Sequence, residues 1–451
     1  MFVIRAGHRP LRIHLHHRDS EPDAKIFFHA VPTICFITLA GADISPPIRE
    51  NTSPTSTQRP IVNTDMSKKK SDSSTNKESA ADSAALADLR TQIDTLDTKL
   101  IQLINQRANA VVEIGKHKRG SGTPIYAPHR EQQVLAKVLA ANAGPLPNRT
   151  IEGIYREMMS GSFALEQPLR IGYLGPPGSQ SHVAAVKQFG SSVEFDDLHE
   201  IAGVFTEVRR GHVNYGLVPI ENSTGGGIAE ALDTFTKAAG DLWIYAEVQI
   251  SIHHALLANC PPAEIRRVYS KPEIFQQCRG WLSQQLPKAD LIHAASSSRA
   301  AQIAVEENKK AIEIGHASTT AAIGTALAGD MYGLKALFPR IEDNPNNITR
   351  FLVLSKEQAR RTGDDKTSVM FTTEDRPGAL VEVLGVFHTC GINLSHIDKR
   401  PSGMENWTYT FFADAQGHIE DETMQTALAR VKAHCKDMTV LGSYPRSTRI
   451  L

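Results

Sequence analysis

From Leu86 onward apolar residues recur at steps of three and four: Leu89, Ile93, Leu96, Leu100 and Leu103 follow, with neither glycine nor proline before Gly115. At 100° per residue this spacing keeps one face apolar, so it predicts an amphipathic helix. Running to about Arg119, the helix would be ~50 Å long at ~1.5 Å per residue. A stripe that long exceeds what one small domain can bury, which predicts packing against a second copy as a helical dimer. The stripe then continues through Arg107, Val111, Ile114 and Lys118. Arg107 and Lys118 lie within about 20° of each other around the helix. Buried cations are costly unless paired. These two stand either for a structural ion pair or for stems snorkelling past the core, or else for a pocket that takes a small dianion. A second helix is predicted after Pro128, with Val134, Leu135, Val138 and Leu139 on one side. A third follows Pro147, with Ile151, Ile154, Tyr155, Met158, Met159 and Leu165.

Beyond Pro168 the period changes. Strands are predicted at 170–175, 216–220, 242–252, 267–270, 291–295, 311–315 and 351–354, separated by helical stretches. This is α/β organisation, with ligand loops at strand ends. Two glycine-rich loops open helices, Gly175-Pro176-Pro177-Gly178-Ser179-Gln180-Ser181 and Glu221-Asn222-Ser223-Thr224-Gly225-Gly226-Gly227. Each is an anion site by chemistry or an ordinary capped turn. After a polar linker, strands at 367–372, 392–399, 408–413 and 439–441 alternate with helices at 379–390 and 422–434. That βαββαβ order predicts a ferredoxin-like domain. The expected domains are an extension and linker over 1–84, helices over 85–167, an α/β unit over 169–357 and an α+β unit over 366–451.

Composition narrows the function. A length of 451 residues suits about three domains. Lysine plus arginine and aspartate plus glutamate are 49 each, so the net charge is zero and no basic excess favours nucleic acid. A mean hydropathy of -0.26, with no run of 18 apolar residues, suits a soluble protein without a spanning helix. The five cysteines are scattered and never spaced C-x-x-C, which argues against a disulfide framework or zinc site and for the reducing cytoplasm. No metal or cofactor is expected. Asp19, Glu21 and Asp23 make the first residues a poor signal or transit peptide. His14, His16 and His17 form either a metal tract or part of an unstructured tail. The abrupt change at Met66-Ser67-Lys68-Lys69-Lys70 marks Met66 as the expected true start.

The helical region resembles the all-helical chorismate mutases. The matching residues are Leu89-Arg90-x-x-Ile93-Asp94-x-Leu96-Asp97-x-x-Leu100, then Arg107, Lys118, Arg130-Glu131, Ser162 and Glu166. The resemblance implies that Arg107, Arg130 and a partner chain's Arg90 surround two substrate carboxylates. It implies that Lys118 and Glu166 meet the ether oxygen, that Glu131 binds the ring hydroxyl, and that Ser162 lines the site. Chorismate rearranges to prephenate without a nucleophile. The C–O bond breaks ahead of C–C formation, so fixed donors at the ether oxygen stabilise the transition state more than the ground state. Two positions depart from the family: Ala127 stands where some relatives carry an acid, and Glu166 where some carry glutamine. An ionised carboxylate only accepts, so Glu166 donates to the ether oxygen only when protonated.

The central region resembles prephenate dehydratases, whose fold is two lobes like type II periplasmic binding proteins with the site in the cleft. The matching residues are Gly175-Pro176-x-Gly178-Ser179, Pro219-x-Glu221-Asn222-Ser223-Thr224, His254-x-Leu256-Leu257, Tyr269-Ser270-x-Pro272, Gln277-Cys278 and Asp343-Asn344-x-x-Asn347-x-Thr349-Arg350-Phe351. The resemblance implies loss of carbon dioxide and water from prephenate to give phenylpyruvate. Aromatisation drives the step, so the enzyme supplies docking and a donor at the leaving hydroxyl. Thr349 matches the family's essential threonine and is expected to be that donor, and Asn222, Ser223, Thr224, Ser270, Gln277 and Arg350 are expected to line the site. The departures are Pro177 for glutamate, Gln180 for an aromatic residue, Lys271 for histidine, and Arg299 in a Ser-Thr-Ala-Glu-like run.

The last region resembles ACT domains through Asp375-Arg376-Pro377-Gly378-Ala379-Leu380, Gly391-Ile392-Asn393-Leu394-Ser395 and Asp398-Lys399-Arg400-Pro401. The resemblance implies a phenylalanine sensor between two such domains, built from Gly378, Ala379, Leu380, Asn393, Leu394, Ser395 and Asp398. Gly378 permits close backbone approach, and Asp398 replaces the family's glutamate. Together the three resemblances imply a bifunctional enzyme that turns chorismate into prephenate and then phenylpyruvate, inhibited by phenylalanine, acting as a homodimer or higher oligomer. Two other readings stay open. One is a dehydratase whose helices only dimerise it. The other is a decayed amino-acid sensor, although decay should have removed Arg107, Lys118, Arg130 or Thr349.

Overall fold

A computed structural model of the chain describes residues 75–118, 124–238, 240–402 and 408–451. The histidine cluster, the start at Met66 and the helix end at Arg119 lie outside these. Helix α1 (Thr75–Lys118) has 44 residues, or ~66 Å at ~1.5 Å per residue. It begins well before Leu86 because the preceding alanine-rich stretch contains no breaker. Along α1 Leu86, Leu89, Ile93, Leu96, Leu100 and Leu103 are all more than half exposed, between 54% and 62%. Helix α2 (Pro128–Ala141) opens on proline, whose missing N–H is harmless in the first turn. Helix α3 (Asn148–Glu166) follows Pro147. Glu78–Leu451 form one unit.

The α/β region has two sheets. The first contains β1 (Arg170–Leu174), β2 (Glu194–Leu198), β3 (Tyr215–Asn222), β4 (Gly226–Gly227) and β5 (Trp243–Ser251), with helices α4 (Gln180–Phe189), α5 (Ile201–Arg210) and α6 (Ala229–Ala238) between them. The second contains β6 (Ala255–Ala258), β7 (Arg267–Ser270), β8 (Asp290–His293), β9 (Thr320–Gly324) and β10 (Lys335–Phe338). Its helices are α7 (Pro272–Gln277), α8 (Arg279–Gln285), α9 (Ser297–Glu313) and α10 (Ala326–Tyr332). The chain then returns as β11 (Ile348–Ser355) and inserts antiparallel between β3 and β5, giving the order β2-β1-β3-β11-β5. The second sheet runs β10-β6-β9-β7-β8. Two chain crossings therefore join two lobes, and they lie where β5 ends and β11 begins.

One strand expectation is corrected. Residues 311–315 finish α9 and its C-cap turn, and Ile312 and Ile314 are exposed. Three alternating residues fit a helix end as well as a strand. The strand is β9, whose sequence Thr-Ala-Ala-Ile-Gly is fully buried; three of its five residues are alanine or glycine, which carry little strand signal.

The C-terminal module comprises β12 (Asp365–Thr372), α11 (Ala379–Thr389), β13 (Leu394–Pro401), β14 (Tyr409–Gln416), α12 (Glu422–Lys432) and β15 (Asp437–Pro445), with sheet order β13-β14-β12-β15. Strand alternation divides its side chains. Val369, Phe371, Ala413 and Ala415 pack on α11 and α12, whereas Met370, Phe412, Leu441 and Tyr444 join the core of the first lobe. The sheet is thus covered on both faces. The two backbones come close at Gly442 on β15, where a Cβ would land on the Ile244 backbone. Gly442→Ala should destabilise the protein by about 1–3 kcal/mol through overpacking, exceeding the ~0.4–1 kcal/mol gained from a stiffer unfolded chain. Urea unfolding checks this, and an unchanged midpoint would show that the two sheets have room to part.

Candidate active sites

In the helical region the two cations of α1 converge on one turn of α3. Arg107 Nη1 donates to Ser162 Oγ at 2.9 Å, and Ser162 Oγ donates to the Met158 carbonyl at 2.7 Å. Lys118 Nζ donates to Glu166 Oε2 at 3.1 Å. Gly115 makes this possible. It is buried in α1, and a Cβ there would sit 3.2 Å from Glu166 Cγ and 3.4 Å from Glu166 Cα. The other expected residues stand apart. Arg90 is exposed on α1, roughly 25 Å along the axis from Arg107 at ~1.5 Å per residue. Arg130 is exposed and bonds Gln133 Oε1 at 3.3 Å. Glu131 faces α4, paired to Arg156 at 2.8 Å and accepting from Gln188 Nε2 at 3.4 Å. In this chain Glu131 therefore fastens the helices to the first lobe.

The cleft residues meet where β3 and β11 lie side by side. Asn222 is register partner to Thr349. Its Oδ1 accepts from the Thr224 and Gly225 amides at 2.9 and 3.1 Å, which fixes the amide orientation. Its Nδ2 therefore donates, to Thr349 Oγ1 and to Asn347 Oδ1, both at 2.8 Å. A threonine hydroxyl that accepts from Asn222 keeps its own proton to donate. Thr224 Oγ1 donates to Asn347 Oδ1 at 3.4 Å, and Ser223 Oγ accepts from the Ile348 amide at 2.9 Å. Asn347 stands in the recognised motif without an assigned role. Its place two residues before Thr349 in that motif was the available signal.

Across the crossings Gln277 Oε1 bonds His254 Nε2 at 2.7 Å. Burial first of all holds the His254 imidazole below its ordinary pKa and so neutral. Ser270 is fully buried and donates to the Ile323 carbonyl at 2.9 Å, a use internal to the second sheet. Cys278 is buried, and burial pushes its thiol up to about 12, so it is no nucleophile at neutral pH. Gln180 Nε2 donates to the His253 carbonyl at 3.0 Å, and Thr325 Oγ1 donates to Gly178 O at 2.6 Å, so the first glycine loop binds the second lobe. Arg299 pairs with Glu306 at 2.9 Å along α9, and Lys271 lies 4.0 Å from Glu273.

Arg350 is placed apart from the cleft residues. One residue after Thr349, it faces away from Asn222, only 8% exposed. Its guanidinium holds Glu247 at 2.8 Å, Asp414 at 2.6 Å and Tyr444 Oη at 3.0 Å. Strand alternation sends adjacent side chains to opposite faces, so Arg350 meets the C-terminal module and not the Asn222 side. Glu247 was overlooked, although a lone carboxylate within the apolar run 243–252 is itself a signal of a buried partner.

In the C-terminal module Gly378 adopts a left-handed φ of 84° at the start of α11. Ala379 is buried, and Leu380 and Leu394 pack in the module's core. Asn393 and Ser395 are exposed. The register of β13 shifts between Leu394 and His396, so Asp398 turns toward the first lobe, against Gly227. The seven expected sensor residues thus lie on more than one face. Among the described residues no group of three His, Cys, Asp or Glu side chains is placed to hold a metal, and no helix is long and apolar enough to cross a membrane.

The helices and the cleft match two enzyme families. The model for chorismate mutase type II matches residues 89–167, and that for prephenate dehydratase matches residues 171–359. The chain belongs to the family of bifunctional chorismate mutase/prephenate dehydratases. It is 40% identical over 366 residues to the Stutzerimonas stutzeri protein of that name, covering 80% of this chain and 97% of that one. The Escherichia coli protein is 31% identical, with 79% and 95% covered. Among solved structures, the Arthrobacter aurescens prephenate dehydratase in complex with L-Phe aligns with a TM-score of 0.55 at 32% identity, covering 62% of this chain and 90% of that one. A quorum-quenching acylase, GqqA, aligns with the same TM-score at 25% identity, covering 62% and 98%. The fold by itself therefore leaves the chemistry open.

Gly115→Ala tests the helical site. The added methyl should push Glu166 from Lys118, lowering mutase turnover about tenfold, the scale of a ~1.4 kcal/mol loss. Dehydratase turnover of the same preparation should not change. Equal losses in both assays would place the effect in folding.

Proposed function

We propose that the chain carries out two consecutive steps, chorismate to prephenate in the helices and prephenate to phenylpyruvate, carbon dioxide and water in the cleft. Family membership over most of the chain supports both. The observation that carries the cleft reading is the Asn222–Thr349 hydrogen bond, which leaves the threonine proton available. As carbon dioxide departs, the ring hydroxyl leaves with its electron pair and takes a proton, and a donor at that oxygen lowers the barrier. In the helices Lys118 is the cation for the ether oxygen, and Arg107 and Arg130 serve the carboxylates. Arginine forks suit that task because they bind carboxylates in two places and hold a compact conformer.

The exposed α1 stripe supports a homodimer in which a second copy covers Leu86–Leu103 and brings its own Arg90 toward Arg107. The C-terminal module is read as an ACT domain that senses L-phenylalanine. Its βαββαβ order, the left-handed Gly378 and the L-Phe bound to the Arthrobacter relative support this. Inhibition then requires tighter phenylalanine binding to a less active state.

Separate assays test the two sites. Lys118→Ala should lower mutase turnover by at least a hundredfold and spare the dehydratase, and Thr349→Ala should do the reverse. The sites lie in different folded regions, so the two losses should be independent. Retained phenylpyruvate formation in Thr349→Ala would remove Thr349 as the donor.

For the sensor, Asn393→Ala is informative because its exposed side chain carries no core. The phenylalanine concentration for half-inhibition should rise at least tenfold relative to the wild-type chain. An unchanged response would place the effector elsewhere.

A further inference from the structure

The crossings between the two lobes carry a buried pair, His254 and Gln277, that the Asn222–Thr349 bond does not use. His254 lies on the outgoing crossing, between β5 and β6, and is 3% exposed. Its backbone is held at both ends. The His254 amide donates to Glu342 Oε2 at 3.0 Å, and the His254 carbonyl accepts from the Ile341 amide at 2.9 Å. The His254 imidazole meets Gln277 at the end of α7, Nε2 to Oε1 at 2.7 Å. The peptide carbonyl of Gln277 accepts from the Asp343 amide at 2.8 Å. Gln277 is therefore fixed through its side chain by one crossing and through its backbone by the segment that leads into the other. The same crossings hold the cleft. The Asn347 carbonyl accepts from the Ile252 amide at 2.8 Å, and two residues of chain put Ile252 and His254 within ~7 Å of each other.

The pairing decides which end of the Gln277 amide is left over. A neutral imidazole carries one N–H, so two arrangements are self-consistent. In the first, His254 Nε2–H donates to Gln277 Oε1 and Nδ1 keeps a lone pair. In the second, the amide is turned over, its NH2 donates to Nε2, and Nδ1 carries the proton. His254 Nδ1 is buried and has no partner among the described residues. A buried N–H left without an acceptor is rarer than a buried lone pair left without a donor, so the first arrangement holds. The Gln277 NH2 is then turned away from His254. Gln277 is half-buried, and no protein group among the described residues accepts from that NH2.

We propose that His254 is a positioning residue of the dehydratase, holding the Gln277 amide so that its NH2 donates to the side-chain carboxylate of prephenate. Prephenate carries two carboxylates. The one on the ring departs as carbon dioxide and gives up its charge, so a donor fixed on it would favour the ground state. The one on the pyruvyl side chain keeps its charge throughout, so a donor there binds ground state and transition state alike. His254 itself does not touch substrate. The inference rests on the cleft as the prephenate site and names a specificity contact within it.

The test is a double-mutant cycle, Gln277→Ala and His254→Leu singly and together, in the full-length chain with prephenate as substrate. Each single variant should raise KM at least tenfold with kcat within threefold, because uniform binding is lost. The double variant should be no worse than Gln277→Ala alone, since two residues that act through one bond are not additive. His254→Gln, whose side-chain amide can donate from near the Nε2 position, should return KM to within threefold of wild type. The urea midpoint reports folding, and if His254→Leu does not fold, His254→Met fills the space with an unbranched chain and takes its place in the cycle. A folded His254 variant with KM within twofold of wild type, or one that loses kcat alone, overturns the proposal. So does an equal further loss when it is added to Gln277→Ala, which is the mark of a purely structural role. Thr349→Ala is run alongside. If it stays active, the reading of the cleft fails; if it is inactive while the cycle is additive, the His254 link alone fails.

Discussion

In β11 the peptide is extended, so Thr349 and Arg350 face opposite ways, and much of the molecule is arranged around that fact. One face offers a hydroxyl to Asn222. The other offers a guanidinium to a second sheet. A slip of one residue would exchange them, placing an arginine in the cleft and a threonine in a charge cluster. Pairing to β3 on one side and β5 on the other holds the register. Because β11 is also the return crossing from the second lobe, the strand that presents Thr349 helps to join the lobes.

Charge burial is handled differently in the helices and at the contact between the α/β lobe and the C-terminal module. In the helices Arg107 meets a serine of α3 and Lys118 a carboxylate of α3. These are mild partners at part-buried positions. Between the α/β lobe and the module the charges are almost sealed, and full pairing offsets their desolvation. Breaking a buried pair on one side is costly, whereas removing a cation and an anion together is far less so.

The long helix with its cationic stripe was legible because a period of 3.6 needs no distant information. So were the two glycine loops and the βαββαβ order, since each is written in spacing and turn residues over a short stretch. The strand β9 was not legible. Alanine and glycine fill it because helices press on the second sheet, and small residues signal close packing as readily as any helix. Asn347 was half-legible: its spacing from Thr349 was visible, its bond to Asn222 was not.

Local order along the chain is what the sequence determined by itself: which residues share a helix face or a strand face, and which types of group each face presents. What each face meets was decided by tertiary structure. Glu131 reads as a substrate ligand by motif, yet Arg156 and Gln188 claim it. Arg350 reads as a site residue beside Thr349, yet Glu247, 103 positions earlier, and Asp414 hold it. Such partners are set by sheet order and by the packing of one sheet on another. A carboxylate and a guanidinium attract equally well wherever the fold brings them within reach, and their own neighbours in sequence carry no mark of which pair will form.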